Sequence, residues 1–112
     1  MHNNSDFEML TDSVRKFVSD RDWDQFHNPK DLALALSIEA SELNEVFLWK
    51  RPEQANPDKV KEELADVFIY SMLLAAKYGL SIPGIVQEKL ARNAIKYPVE
   101  KAKGNAKKYN EL

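Results

Sequence analysis

The chain reads as all-α, an antiparallel four-helix bundle that packs into a homo-oligomer. Three observations predict this. Apolar residues recur at the i, i+3, i+4 spacing of a helix face through most of the 112 residues. Two Asn-Pro steps, Asn28-Pro29 and Asn56-Pro57, each set a capping side chain ahead of a proline at the first helical position. No stretch requires the two-residue alternation of a half-buried strand.

A first helix is expected from Ser5 to about Asp20, with Phe7, Leu10, Val14, Phe17 and Val18 on its apolar face. Arg21 to Asn28 is polar and aromatic and reads as a loop. The second helix opens at Asn28-Pro29 and runs to about Trp49, where Arg51-Pro52 through Asn56-Pro57 interrupts the pattern. The second Asn-Pro step opens the third helix, which continues to Tyr78 with Gly79 as its stop. Ser81 caps a fourth helix ending near Tyr97, because Pro98 disfavours helical backbone at the residue before it. Val99 to Leu112 is a lysine-rich tail held at its ends, through Tyr109 and Leu112. The second helix is apolar over more than half its circumference, with Leu34, Ile38 and Leu48 lying away from Leu32, Leu43 and Val46. A surface helix of a monomer is not: either it is the central helix of the bundle or it also packs against another subunit, and a chain this small favours the second.

The length fits one domain, residues 1–112, with 44% apolar and 30% charged residues. There is no cysteine, which excludes disulfides, thiolate metal sites and cysteine nucleophiles. No apolar run reaches the roughly 18 residues of a membrane span, and MHNNSDFEML lacks the regions of a signal peptide, so a cytoplasmic protein with no membrane partner is expected. The net charge of −2 conceals a split: residues 1–66 hold 15 acids against 8 Lys/Arg, and residues 67–112 hold 3 against 8. A nucleic-acid polymer calls for a broad basic excess. An acidic metal site beside a local basic segment suits a small polyphosphate better, a solvated or subunit-contacting extension being the other reading of the basic tail.

The acids carry the chemistry. Glu39/Glu42 and Glu63/Asp66 are each spaced i, i+3, which makes each pair neighbours on one helix face, about 5–6 Å apart at Cβ. At roughly 100° per residue Glu39 falls between Leu32, Leu43 and Val46, Glu42 between Ala35 and Trp49, and Glu63 between Tyr70 and Leu74. Asp66 borders the same band beside Leu73 and Lys77. Ionised carboxylates on an apolar face need a partner or a proton. A divalent cation is one partner, and Mg²⁺ in particular is held by a few carboxylates with waters and substrate phosphates, Mn²⁺ being a possible substitute. Salt bridges to lysines, or a helix turned so that the acids see water, are the other solutions.

These residues bear a resemblance. Arg21-Asp22-Trp23-Asp24-Gln25-Phe26-His27, Glu39-x-x-Glu42, Phe47-x-Trp49, Glu62-Glu63-x-x-Asp66-Val67 with Tyr70, Lys89-x-x-x-Asn93-x-x-Lys96-Tyr97-Pro98 and Gly104-x-Ala106-x-Lys108-Tyr109 together resemble the MazG-like all-α nucleotide pyrophosphohydrolases, the dCTP pyrophosphatase branch most closely. The resemblance spans about Leu10 to Leu112. It implies a Mg²⁺-dependent enzyme that cleaves a nucleoside triphosphate between the α and β phosphorus. By motif, Glu39, Glu42, Glu63 and Asp66 are the metal ligands and catalytic acids, with Glu45 or Glu62 as possible base. Trp23, Gln25, Phe26, His27, Trp49 and Tyr70 resemble the pocket for base and sugar, where stacking is worth about 1–3 kcal/mol per base. Lys89, Asn93, Lys96 and Tyr97 resemble the phosphate- and sugar-contacting face of the fourth helix. Relatives of this kind imply a homodimer or homotetramer with sites formed between subunits.

Two departures bear on the substrate. Animal dCTP pyrophosphatases have a histidine nine residues before the loop tryptophan, where this chain has Val14, and their connection between the second and third helices is longer. The first weakens a strict dCTP preference and leaves a broader deoxynucleotide range open, and the second bears on the pocket rim. Of the other readings, a four-helix di-iron oxidase requires Glu-x-x-His motifs, and neither His2 nor His27 follows a Glu at that spacing. A non-catalytic helical interaction module explains the apolar helices but not four acids facing inward in two matched pairs.

Overall fold

Asn28 and Asn56 do what their position ahead of proline predicts. In the computed structural model the Asn28 Oδ1 accepts the Asp31 amide at 2.9 Å and the Asn56 Oδ1 accepts the Asp58 amide at 2.9 Å. Each cap satisfies an amide that the first helical turn leaves unpaired. The structure describes residues 6–112, so Ser5, the expected start of the first helix, lies outside the described residues. Four helices account for most of the chain: α1 (Asp6–Asp20), α2 (Pro29–Glu45), α3 (Pro57–Lys77) and α4 (Ile82–Lys96). A single turn, α5 (Val99–Ala102), and short 3-10 turns at Asp24–Phe26, Pro52–Gln54 and Tyr109–Glu111 complete it. No strand occurs among the described residues.

The residues up to Leu80 form one unit and Ser81–Leu112 a second. In the first, α3 packs on both α1 and α2. Val18 from α1, Leu32 from α2 and Leu73 from α3 are buried together, with Val14, Ile69, Tyr70 and Leu74 packed around them. Leu32 near the start of α2 meets Leu73 late in α3, so these two helices run antiparallel. α3 ends where glycine was expected to stop it. Gly79 adopts φ +64°, the Leu80 amide reaches the Ala75 carbonyl at 2.9 Å and the Gly79 amide reaches that of Ala76 at 3.2 Å. This pair of bonds closes the helix with a left-handed residue that favours glycine.

The end of α2 differs from the sequence expectation of Trp49. α2 stops at Glu45, and the amides of Val46, Phe47 and Leu48 turn to carbonyls three residues back at 3.1 to 3.2 Å. Trp49 then takes φ +61°. Arg51 is extended ahead of Pro52, as a residue before proline prefers, and its amide is held by the Gln54 side chain at 2.8 Å. The apolar run Val46-Phe47-Leu48-Trp49 continues the helical pattern past the point where the backbone has begun to turn.

In the second unit Ser81 caps α4 through the Gly84 amide at 3.2 Å, and α4 ends at Lys96 with Tyr97 as its last capping residue. The tail returns to that end of the helix. The Tyr109 ring meets Tyr97 edge-on at 6.2 Å and lies 4.9 Å from the Lys96 amine. No single helix among the described residues is long and apolar enough to cross a membrane.

Candidate functional site

Antiparallel pairing of α2 and α3 brings the two acid pairs face to face. Glu39, Glu63 and Asp66 each offer a carboxylate oxygen within 4.8 Å of the others, and the Glu42 carboxyl lies within hydrogen-bonding reach of both Glu39 and Glu63. All four are partly buried. Lysine does not neutralise them: the ion pairs among the described residues are Lys16–Asp20, Lys30–Asp31, Arg51–Glu53, Lys59–Glu62 and Lys77–Asp24. Burial, then the hydrogen bond to Glu42 and the negative charge of Glu42, Asp66 and Glu63, push the Glu39 carboxyl up to about 7. Glu63 is raised in the same way, by burial first and then by Glu42, Asp66 and Glu62.

Buried oxygens that lack a partner test whether a cation fits. Glu39 Oε2 and Glu63 Oε2 are both buried without a hydrogen-bond partner. Such orphaned acceptors cost about 1–3 kcal/mol each, more when charged. A hard divalent ion is the partner an all-oxygen set of this kind accepts. The cluster is therefore a candidate metal centre, and its residues fit the group.

Asp66 also lines a cavity of about 400 Å³ between α1, α3 and the loop that joins α1 to α2. Its walls are mostly apolar and include Val14, Phe17, Trp23, His27, Ile69 and Tyr70. The His27 and Tyr70 rings meet edge-on at 6.5 Å, and His27 Nδ1 is buried without a partner. Burial and the charges of Glu39, Asp66 and Glu42 raise the Tyr70 phenol, so this ring belongs to both cavity and acid cluster. A mostly apolar chamber thus shares Asp66 with the acid cluster.

The sequence profile of the MazG-like family matches residues 34–112, a span that holds all four acids. The chain belongs to the MazG-like family. It is 40% identical over 105 residues to dCTP pyrophosphatase 1 of Bos taurus and 39% identical to that of Homo sapiens, in both cases over 87% of this chain. It spans 62% of the length of those relatives. Among solved structures it is similar to a pyrophosphatase from Archaeoglobus fulgidus, with a TM-score of 0.80 and 35% identity, over 88% of this chain and 97% of that one.

Other residues expected at the site of this MazG-like chain lie apart from the cavity or in the second unit. Gln25 turns its amide to the Asp22 carbonyl at 2.9 Å and carboxylate at 3.1 Å, and Phe26 is exposed in the 3-10 turn. Trp49 is 93% exposed and borders a separate hollow with Glu45, Phe47 and Leu48. Glu62 is exposed and paired with Lys59 at 3.6 Å, and Glu45 is the exposed last residue of α2. Lys89, Asn93 and Lys96 follow i, i+4, i+7 along α4; Asn93 is partly buried and its carbonyl accepts the Tyr97 amide at 2.8 Å.

Sequence reasoning placed Phe17 in the first helix's core face and missed it, with Ile69, as cavity wall. The available signal was excess. α1 carries more large apolar residues than its face on α3 can cover, and Phe17 stays 50% exposed.

Proposed function

We propose that this MazG-like chain is a Mg²⁺-dependent nucleoside triphosphate pyrophosphohydrolase. It cleaves a (d)NTP, dCTP or a related dNTP, between the α and β phosphorus and releases the monophosphate and pyrophosphate. One observation carries the reading: the carboxylates of Glu39, Glu63 and Asp66 converge with Glu42 beside them, two of their oxygens are unpartnered, and Asp66 also walls an aromatic cavity. The names of the relatives, dCTP pyrophosphatase 1 and pyrophosphatase, support the same reaction class. Free nucleotide pools place such an activity in the cytoplasm, with no polymer or membrane as partner.

Glu39, Glu42, Glu63 and Asp66 are the residues that would hold the ion, Mg²⁺ or Mn²⁺ in its place, which supplies charge neutralisation for the triphosphate and an acidified water. Trp23, His27 and Tyr70 take the base and sugar, stacking on flat rings and excluding water from the reacting end. The apolar wall at Val14 offers no hydrogen bond there, consistent with a range of bases rather than one. Glu45 or Glu62 serves as general base; both lie next to the cluster in sequence. Lys89, Asn93, Lys96 and Tyr97 contact phosphate and sugar, and Gln25, Phe26 and Trp49 are assigned to the substrate on the family motif alone.

Residues 1–112 form one MazG-like domain, with 99–112 as its lysine-rich tail and the four long helices as an antiparallel bundle. This domain assembles into a homodimer or homotetramer. Leu34 and Ile38 on α2 are 56% and 58% exposed, and Phe68 on α3 is 48% exposed. Apolar faces on consecutive helices are the sort that another subunit covers.

The test is pyrophosphate release from a panel of dNTPs and NTPs with and without Mg²⁺. Mg²⁺-dependent release is expected, strongest with a dNTP. No turnover on any nucleotide would overturn the reading in favour of a helical interaction module.

A further inference from the structure

Trp23 stands on an exposed loop, yet the loop is braced from three sides. At the first, the Arg21 guanidinium lies 3.6 Å from the centroid of the Phe17 ring and donates from one terminal nitrogen to the Phe17 carbonyl at 2.9 Å. The same ring meets Trp23 edge to face at 5.9 Å and 72°. At the second, Asp22 takes φ +55°, a conformation Asp tolerates better than most residues. The Gln25 amide bonds both its carbonyl and its carboxylate. At the third, Asp24 is tied to α3 by Lys77 at 2.9 Å, and that amine holds the Asp24 carboxyl below its ordinary value.

Phe17 and Trp23 both line the cavity, whereas Arg21 does not. A guanidinium seated over one ring at 3.6 Å restrains that ring, and the edge contact passes the constraint to the indole. Without the stack, Trp23 could rotate into solvent and would have to be ordered at each binding event, which weakens affinity without altering the chemical step.

We propose that Arg21 is a positioning residue for substrate: acting through Phe17, it holds the Trp23 indole in its stacking orientation before any nucleotide arrives. The inference rests on the proposed function for the identity of the ligand, but not for the order of the loop. A role limited to closing the C-terminus of α1 needs only a cation and a donor for the Phe17 carbonyl, which lysine also supplies. The stack needs the planar group.

The experiment uses the full chain: acrylamide quenching without ligand is read in a Trp49→Phe background, so that Trp23 is the sole emitter, and KM and kcat with dCTP and Mg²⁺ are read with Trp49 in place. Arg21→Ala is expected to raise the quenching constant about twofold and KM about three- to tenfold, with kcat within twofold. Arg21→Lys should recover less than half of either change. Phe17→Leu should abolish the effect of Arg21→Ala in the double variant, since the two act in series. Unchanged quenching in Arg21→Ala, full rescue by lysine, or additive effects with Phe17→Leu would overturn the proposal. If the unmutated protein turns over no nucleotide, the proposed function fails, and the quenching cycle still decides whether Arg21 orders the tryptophan.

Discussion

Glu39 shows most clearly how single residues set the behaviour of the site. Its carboxyl, held at about 7 by burial and by three neighbouring acids, binds a proton more tightly in the folded chain than in the unfolded one, where the ordinary value is 4.5. Stability contributed by that proton is complete below 4.5 and is lost as pH rises through about 7. Metal-free protein should therefore melt at lower temperature at pH 8 than at pH 5. Glu39→Gln should flatten that dependence, and added Mg²⁺ should raise the melting temperature more at pH 8 than at pH 5. Thermal unfolding at the two pH values, with and without Mg²⁺, checks all three. The four acids were legible because i, i+3 spacing on an apolar face is a statement about direction as well as type. The end of the second helix at Glu45 was not legible, since the apolar run from Val46 to Trp49 keeps helical rhythm while the amides of Val46, Phe47 and Leu48 have already shifted to carbonyls three residues back.

At the scale of the element, α2 and α3 are one device. Their caps, their antiparallel contact and the Gly79 stop were readable from Asn-Pro steps, apolar periodicity and a glycine after the last periodic residue. Which apolar face meets which neighbour was not, because α2 is apolar most of the way round and periodicity cannot rank its sides. The structure ranks them: Leu32 is 1% exposed against 56% for Leu34. Leu32→Ala should cost about 2–5 kcal/mol of stability, in the range of buried leucine truncations. Leu34→Ala should cost much less in the folding of the subunit itself. Urea unfolding of the two variants measures the contrast. Asn28→Ala, which removes the cap bond at the start of α2, should cost about 1 kcal/mol.

The molecule as a whole has little interior of its own. Among the described residues only Val18, Leu32, Met72, Leu73 and Ala75 are buried hydrophobics, while Leu34, Ile38, Leu64 and Phe68 remain open on α2 and α3. A core this small supports a 112-residue chain poorly, and assembly is the physical remedy. Ile38→Glu should shift the proposed oligomer toward smaller species in light scattering while helical content stays the same; an unchanged mass would show that this face is not covered by a second copy. The surplus of apolar surface was visible in the sequence as an over-wide stripe on α2, whereas the convergence of cavity and acid cluster at Asp66 arises only when α1 and α3 are packed. That convergence is the centre of the account.

Phosphorus NMR of dCTP incubated with the protein and Mg²⁺ tests it most directly, because the products report which anhydride bond broke. Expected are dCMP and pyrophosphate in equal amounts, none without Mg²⁺, and a rate at least about 100-fold lower in Glu42→Gln. Formation of dCDP and inorganic phosphate, or undiminished turnover in Glu42→Gln, would contradict it.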